Sequence, residues 1–137
     1  MKNANACLTK ITEKEIRTMF STDSDNNLDI EVHNDDHTAV LKPIGDIDMS
    51  RSPQLRTAIA QVQKSQPAKR IIVDLTAVPY MDSSGVATLV EAVQIARRYG
   101  GQIILCNLND RVLSIIEIAR LDTIFTIMPT LDDALNT

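Results

Sequence analysis

Tryptophan is absent from this 137-residue chain, and aromatic residues make up only 3% of it. Its core must therefore be built from Ile, Leu, Val and Ala. A basic run is also missing: 14 Lys and Arg stand against 18 Asp and Glu, for a formal net charge of −4. Phosphate backbones are bound by clustered cations, so nucleic acid is excluded as a direct partner. The two cysteines, Cys7 and Cys106, are too sparse for a disulfide framework and point to a reducing compartment. No apolar run is long enough to span a bilayer, and the N-terminal MKNANACLTKITEKE lacks the apolar stretch of a signal peptide. The sequence is expected to be cytoplasmic, with no membrane span.

The histidines are as scarce. His33 and His37 flank one turn beside Asp35 and Asp36, with no third strong ligand nearby, which makes a poor metal site. No G-x-x-x-x-G-K-[ST] loop follows any apolar run, so a phosphate cradle of that kind is excluded. No metal and no cofactor are expected.

What remains is enough for one core in one domain. Residues 1–26 read as an N-terminal extension and 27–137 as the domain. In the extension, Thr12-Glu13-Lys14-Glu15 has the capping-box pattern, with Ile16, Met19 and Phe20 on one stripe. Ser21 to Asn27 reads as a linker. Such an extension is a loosely attached tail or an arm that docks on a neighbour. Leu28 to His33 alternates apolar and polar residues as a half-buried strand should. Asn34-Asp35-Asp36 turns the chain into a second strand over His37 to Leu41, forming a hairpin. Pro43 is expected to interrupt or bulge that strand. Ser52-Pro53 opens a helix with Ser52 as cap, and Leu55, Ala58, Ile59 and Val62 share one face. Ser65-Gln66-Pro67 ends it.

Ile71 to Leu75 and Ile103 to Leu105 are continuous aliphatic runs, as in strands covered on both faces. Between them Val86, Leu89, Val90, Val93 and Ala96 mark a second helix, stopped by Gly100-Gly101. A third helix starts near Asp110 with Val112, Ile115, Ile116 and Ala119 inward. Ile124 to Ile127 is a short strand, and Thr130 caps a last helical turn. The order β-β-α-β-α-β-α-β-α predicts an α/β fold: an antiparallel hairpin joined to parallel strands in one mixed sheet, with helices packed on it.

The stretch VPYMDSSGV, Val78 to Val86, carries the chemistry. Two serines, Ser83 and Ser84, follow an acid and precede a glycine where the second helix begins. A nucleophile elbow would need G-x-S-x-G and a histidine base. Met81 stands where the first glycine would be, and both histidines sit near the start of the chain. Asp82 or Ser83 suits the cap of the helix. Gly85 is a poor helix former within the first turn. With the two serines it makes a small-residue mouth that another backbone could approach closely.

This sequence resembles the STAS domain family, and in particular the bacterial anti-sigma factor antagonists. The similarity runs from about Leu28 to Leu135. It rests on Val73-Asp74-Leu75 followed by Asp82-Ser83-Ser84-Gly85, similar to the family's D-S-[ST]-G after a buried strand. Gly45-Asp46-Ile47-Asp48 resembles G-x-[LI]-D, and Gly100-Gly101 before Gln102 to Asn107 also fits. So does Val112-Leu113-Ser114-Ile115-Ile116-Glu117, on a helix where the family carries exposed apolar residues. The resemblance implies a protein that is not an enzyme. It implies a binding module for an anti-sigma factor, itself a serine kinase, which thereby frees a sigma factor for transcription. The kinase would phosphorylate Ser83 (Ser84 is the second candidate), ending binding, and a PP2C-type phosphatase would restore it. The implied partner surface comprises Asp46, Asp48, Asp82, Ser84, Gly85 and Leu113. The extension and the second acid, Asp46, depart from the family pattern. An accessory subunit of a lipid-transport or signalling-scaffold complex is the alternative reading.

Overall fold

The computed structural model describes residues 28–34, 37–65 and 70–137. Residues 1–27, with the capping box, the Ile16, Met19 and Phe20 stripe and the linker, lie outside the described residues, as do Asp35, Asp36 and residues 66–69. Five strands, β1 (Asp29–Asn34), β2 (Thr38–Ile44), β3 (Arg70–Asp74), β4 (Gln102–Cys106) and β5 (Thr126–Met128), form one sheet in chain order. β1 and β2 pair antiparallel, and β2 to β5 pair parallel. The helices among the described residues are α1 (Ser52–Ser65), α2 (Ser83–Arg98), α3 (Asp110–Ile118) and α4 (Leu131–Leu135). The mixed α/β sheet expected from the pattern is the one observed.

The pleat explains why β3 and β4 read as unbroken apolar runs. Ile71 and Val73 of β3, with Ile103 and Leu105 of β4, enter a core cluster shared with Leu55, Ile59, Leu89, Val93, Val112 and Ile116. The alternating Ile72, Ile104 and Cys106 enter a second cluster with Ala134 of α4. Parallel strands that advance one place at a time put every right-handed crossover helix on the same face. Hence α1, α2 and α3 share the first cluster, and α4 covers the other side. Arg70 fixes α4 there: its guanidinium donates to the carbonyls of Leu135 (3.0 Å) and Thr137 (2.5 Å) at the end of the helix.

Three local expectations are corrected. β2 runs through Pro43 without a bulge, Pro43 pairing with Ile30 in continuous register. The parallel pairing with β3 ends at Leu41, so a missing donor on that edge breaks no ladder bond. Ser52 is the first residue of α1 rather than its cap. The turn leading into the helix is closed by Asp48, whose backbone carbonyl accepts from Ser52 N at 2.8 Å. Its carboxylate accepts from Ser50 N and Arg51 N. In α3 only Val112 and Ile116 are buried. Ala119 is the C-cap, exposed, because Arg120 turns the chain through a positive φ of 58°.

Candidate functional site

The carboxyl ends of β2, β3 and β4 feed three loops that meet at the start of α2. Gly45, at φ +111°, turns the chain off β2 in a conformation that L side chains rarely adopt. From there the first loop is stitched to the second by backbone bonds. Gly45 N donates to Ala77 O (2.9 Å), Ile47 N to Tyr80 O (3.0 Å), and Asp82 N to Ile47 O (3.1 Å). Ile47 and Met81 form an isolated parallel bridge. The loop with Asp46 and Asp48 is thereby held against the Asp82-Ser83-Ser84 segment, and the structure brings together these parts of the predicted site.

Asp82 is the N-cap of α2, its Oδ1 accepting from Ser84 N (2.9 Å) and Gly85 N (3.3 Å). The Ser84 hydroxyl donates to the same oxygen, and Ser84 is half-buried. Ser83 is exposed at the first position of the helix. Here the unpaired N–H groups and the positive end of the helix dipole face outward. The two adjacent serines therefore differ in environment: one is engaged with the cap, the other presents its hydroxyl to solvent. Replacing Asp82 by Ala should lower stability by about 0.5–2 kcal/mol through the lost cap, read as a drop in thermal midpoint. Asp82→Asn should recover most of it.

Ser83 also stands at one end of an open groove of about 430 Å³ between α2 and α3. Its apolar walls are Val86, Ala87 and Val90 on one side and Ile115, Ala119 and Leu121 on the other. Leu113, on the same helix α3, is half-buried.

A family model of the STAS domain matches residues 28–134, over three quarters of the chain. The chain belongs to the STAS domain family. Among its curated relatives, the anti-sigma-B factor antagonist of Listeria monocytogenes is 30% identical over 101 residues, covering 74% of this chain and 87% of the relative. The anti-sigma F factor antagonist of Paenibacillus polymyxa is 24% identical over 110 residues, covering 80% of this chain and 92% of the relative. The crystal structure of an anti-sigma factor antagonist from Mycobacterium paratuberculosis matches with a TM-score of 0.73 at 28% identity, covering 84% of this chain and 97% of that one. Among the described residues of this STAS domain, no helix is long and apolar enough to cross a membrane.

In this STAS domain Gly85 is not an open surface. It is buried, and a Cβ placed on it would lie 2.5 Å from Met81 Cγ and 2.9 Å from Ile47 Cγ2. The backbone that approaches it closely belongs to the chain's own loop. The expected open mouth is corrected accordingly: Gly85 lets the Asp46–Asp48 loop seat beside Ser83, and contributes no accessible surface of its own. His33 and His37 lie by the β1–β2 turn, at the amino ends of the parallel strands. Ser83 follows the carboxyl end of β3, so neither imidazole is placed to act on it.

Sequence reasoning missed the residues that fix the loops. Asn109 caps α3 through its side-chain oxygen, which accepts from Val112 N (2.8 Å), while its amide donates to the carbonyls of Val78 and Pro79 (both 3.1 Å). An Asn just before an apolar helical pattern is a cap signal, but its reach to residue 78 is not written locally. Arg111 stacks over the Tyr80 ring at 5.5 Å, tying α3 to the same loop. Met49, in the turn after Asp48, is 77% exposed, and Ile118 at the end of α3 is 81% exposed. An apolar residue inside a polar turn was the available signal for Met49.

Two carboxylates near these loops are held below the ordinary range. At Asp48 the Ser50 hydroxyl has the largest influence; desolvation opposes it, and the Arg51 and Ser50 backbone donors and the Arg51 charge add to the lowering. At Asp74 burial pushes the carboxyl up, but bonds from the Thr76 hydroxyl, Asn107 Nδ2 and Thr76 N, with the Lys42 charge, outweigh it. Asn107 makes its contact at 3.1 Å from a left-handed backbone conformation (φ 58°). A carboxyl depressed in the folded state stabilises fully above its unfolded pKa of about 3.9. That contribution is lost as pH falls through the folded value. Urea midpoints should therefore decline as pH falls below about 4. Asp74→Asn should lower stability at neutral pH and flatten that decline.

Proposed function

We propose that this STAS domain is an anti-sigma factor antagonist whose binding is switched by phosphorylation of Ser83. One observation carries the choice of site: Ser83 is exposed at the first position of α2, whereas the Ser84 hydroxyl donates to Asp82. The names of its relatives supply the class of partner. On this reading residues 27–137 are the binding module and residues 1–26 an extension. The chain is a substrate and a switch rather than a catalyst, working in the cytoplasm.

The partner is an anti-sigma factor that is also a serine kinase. It engages Ser83 together with Asp46, Asp48, Asp82, Ser84 and Leu113, while Gly85 acts through the seating of the loop. Transfer of the γ-phosphoryl group of ATP forms the Ser83 Oγ–P bond and releases ADP, the hydroxyl proton leaving to the kinase or to solvent. The phosphate brings about −1.5 to −2 charges at pH 7 to a surface that already carries Asp46, Asp48 and Asp82. A PP2C-type phosphatase hydrolyses the ester and restores binding.

Calorimetric titration with the purified anti-sigma kinase of the same organism tests the reading. The unphosphorylated chain should bind. Pretreatment with kinase and ATP should weaken binding a hundredfold or more, and phosphatase should recover it. Binding that ignores phosphorylation would favour a scaffold or lipid-transport subunit instead.

A further inference from the structure

The groove between α2 and α3 is apolar on both walls, with Val86 and Val90 facing Ile115 and Leu121, and nothing among the described residues fills it. The point where the N-terminal segment joins the domain is well defined. Leu28 is buried, its backbone N–H donating to the Gln54 side chain of α1. Asp29 pairs with Ile44, the residue just before the Gly45–Asp48 loop. The segment before Leu28 therefore joins the sheet at the same end as Ser83.

Distance permits a return to the groove. Strands lie about 4.8 Å apart, so crossing from β1 to the β4–β5 side takes roughly 15–20 Å. Ser21 to Asn27, seven residues, can span up to about 25 Å. Composition fits as well. Residues 1–20 hold four cations against two acids, whereas residues 28–137 hold ten against fourteen. In that basic stretch Ile11 precedes the Thr12 to Glu15 capping box and Ile16 follows it, the spacing of a hydrophobic staple. Met19 and Phe20 extend the stripe.

We infer that residues 11–20 of this chain occupy the groove between α2 and α3 and cover the flank of Ser83. The segment is then an intramolecular competitor for whatever docks there, and the groove is available only in the fraction of molecules where it is displaced. That consequence rests on the proposed switch; occupancy of the groove does not. Under the switch, the double variant Ile16→Asp/Phe20→Asp should bind the anti-sigma kinase several-fold more tightly.

Occupancy is tested on the full chain without any partner. A nitroxide is attached to Cys7 at neutral pH. Cys106 is fully buried, its thiol pushed up to about 12 by burial and by the Asp74 charge, which directs the reagent away from it. Amide signals of Val86, Val90 and Leu121 should lose more than half their intensity relative to the reduced label, with those of the β1–β2 hairpin unchanged. Ile16→Asp/Phe20→Asp should restore them. Unchanged groove signals in the native chain would overturn the inference. So would broadening of an isotope-labelled, spin-free chain by added spin-labelled chain, because the occupant would then be a second copy.

Discussion

Ser83→Asp is expected to melt within a few degrees of the native protein yet bind its partner at least a hundredfold more weakly. The two halves of that expectation have different physical origins. A carboxylate at the first position of a helix is favoured by the dipole by roughly 0.3–1 kcal/mol at an exposed site. Asp82 next to it opposes the new charge, but its oxygen is already satisfied by Ser84 N, Gly85 N and the Ser84 hydroxyl. Two effects of similar size and opposite sign leave the fold nearly unmoved. A docked partner changes the magnitudes, because like charges brought together at an interface cost several kcal/mol. About 1.4 kcal/mol is a factor of ten in affinity, so a hundredfold loss requires only about twice that. Ser83→Ala should bind as the native chain does and resist modification. Thermal melts and titrations of both variants check the two halves separately.

Gly85→Val is expected to damage the fold first and binding as a consequence. Its Cβ would fall 2.5 Å from Met81 Cγ and 2.9 Å from Ile47 Cγ2, and both neighbours are fully buried. Overpacking of this kind costs about 1–3 kcal/mol. Removing a glycine from a helix returns up to about 1 kcal/mol, so Gly85→Ala should be mildly destabilising and Val distinctly worse. For a domain of this size each kcal/mol moves the thermal midpoint by roughly 4–8 °C. Val should therefore melt lower by several degrees to more than ten, in contrast to Ser83→Asp. A Val variant that melted like the native protein but failed to bind would mean that Gly85 itself faces the partner.

The contrast between these neighbouring positions shows what a linear reading can see. The β3 and β4 runs were legible because burial on both faces writes itself into consecutive residues: Ile71 and Ile72 enter opposite core clusters. The helix over Ser83–Arg98 was legible from its spacing, and the Asp82 cap from its residue type. The meaning of Gly85 was not, because the side chains that fill its missing Cβ come from Ile47 and Met81. The first of these is 38 positions away in the chain, and a local pattern holds no record of that approach. Asn109 fails for the same reason, its amide reaching back to Val78 and Pro79. Pro43 misled because a lost donor matters only where a neighbouring strand is still bonded. The pairing of the Asp46–Asp48 loop with the Ser83 segment is likewise tertiary, made by the Ile47–Met81 bridge.

Mapping the phosphate tests the central claim most directly. The full chain is incubated with the anti-sigma kinase of its own organism and ATP, digested, and the modified peptide sequenced by mass spectrometry. The account expects one phosphate per chain, on Ser83, and none in Ser83→Ala. Phosphate on Ser84 would contradict the assignment made from the two hydroxyl environments. Phosphate on neither serine would contradict the switch itself.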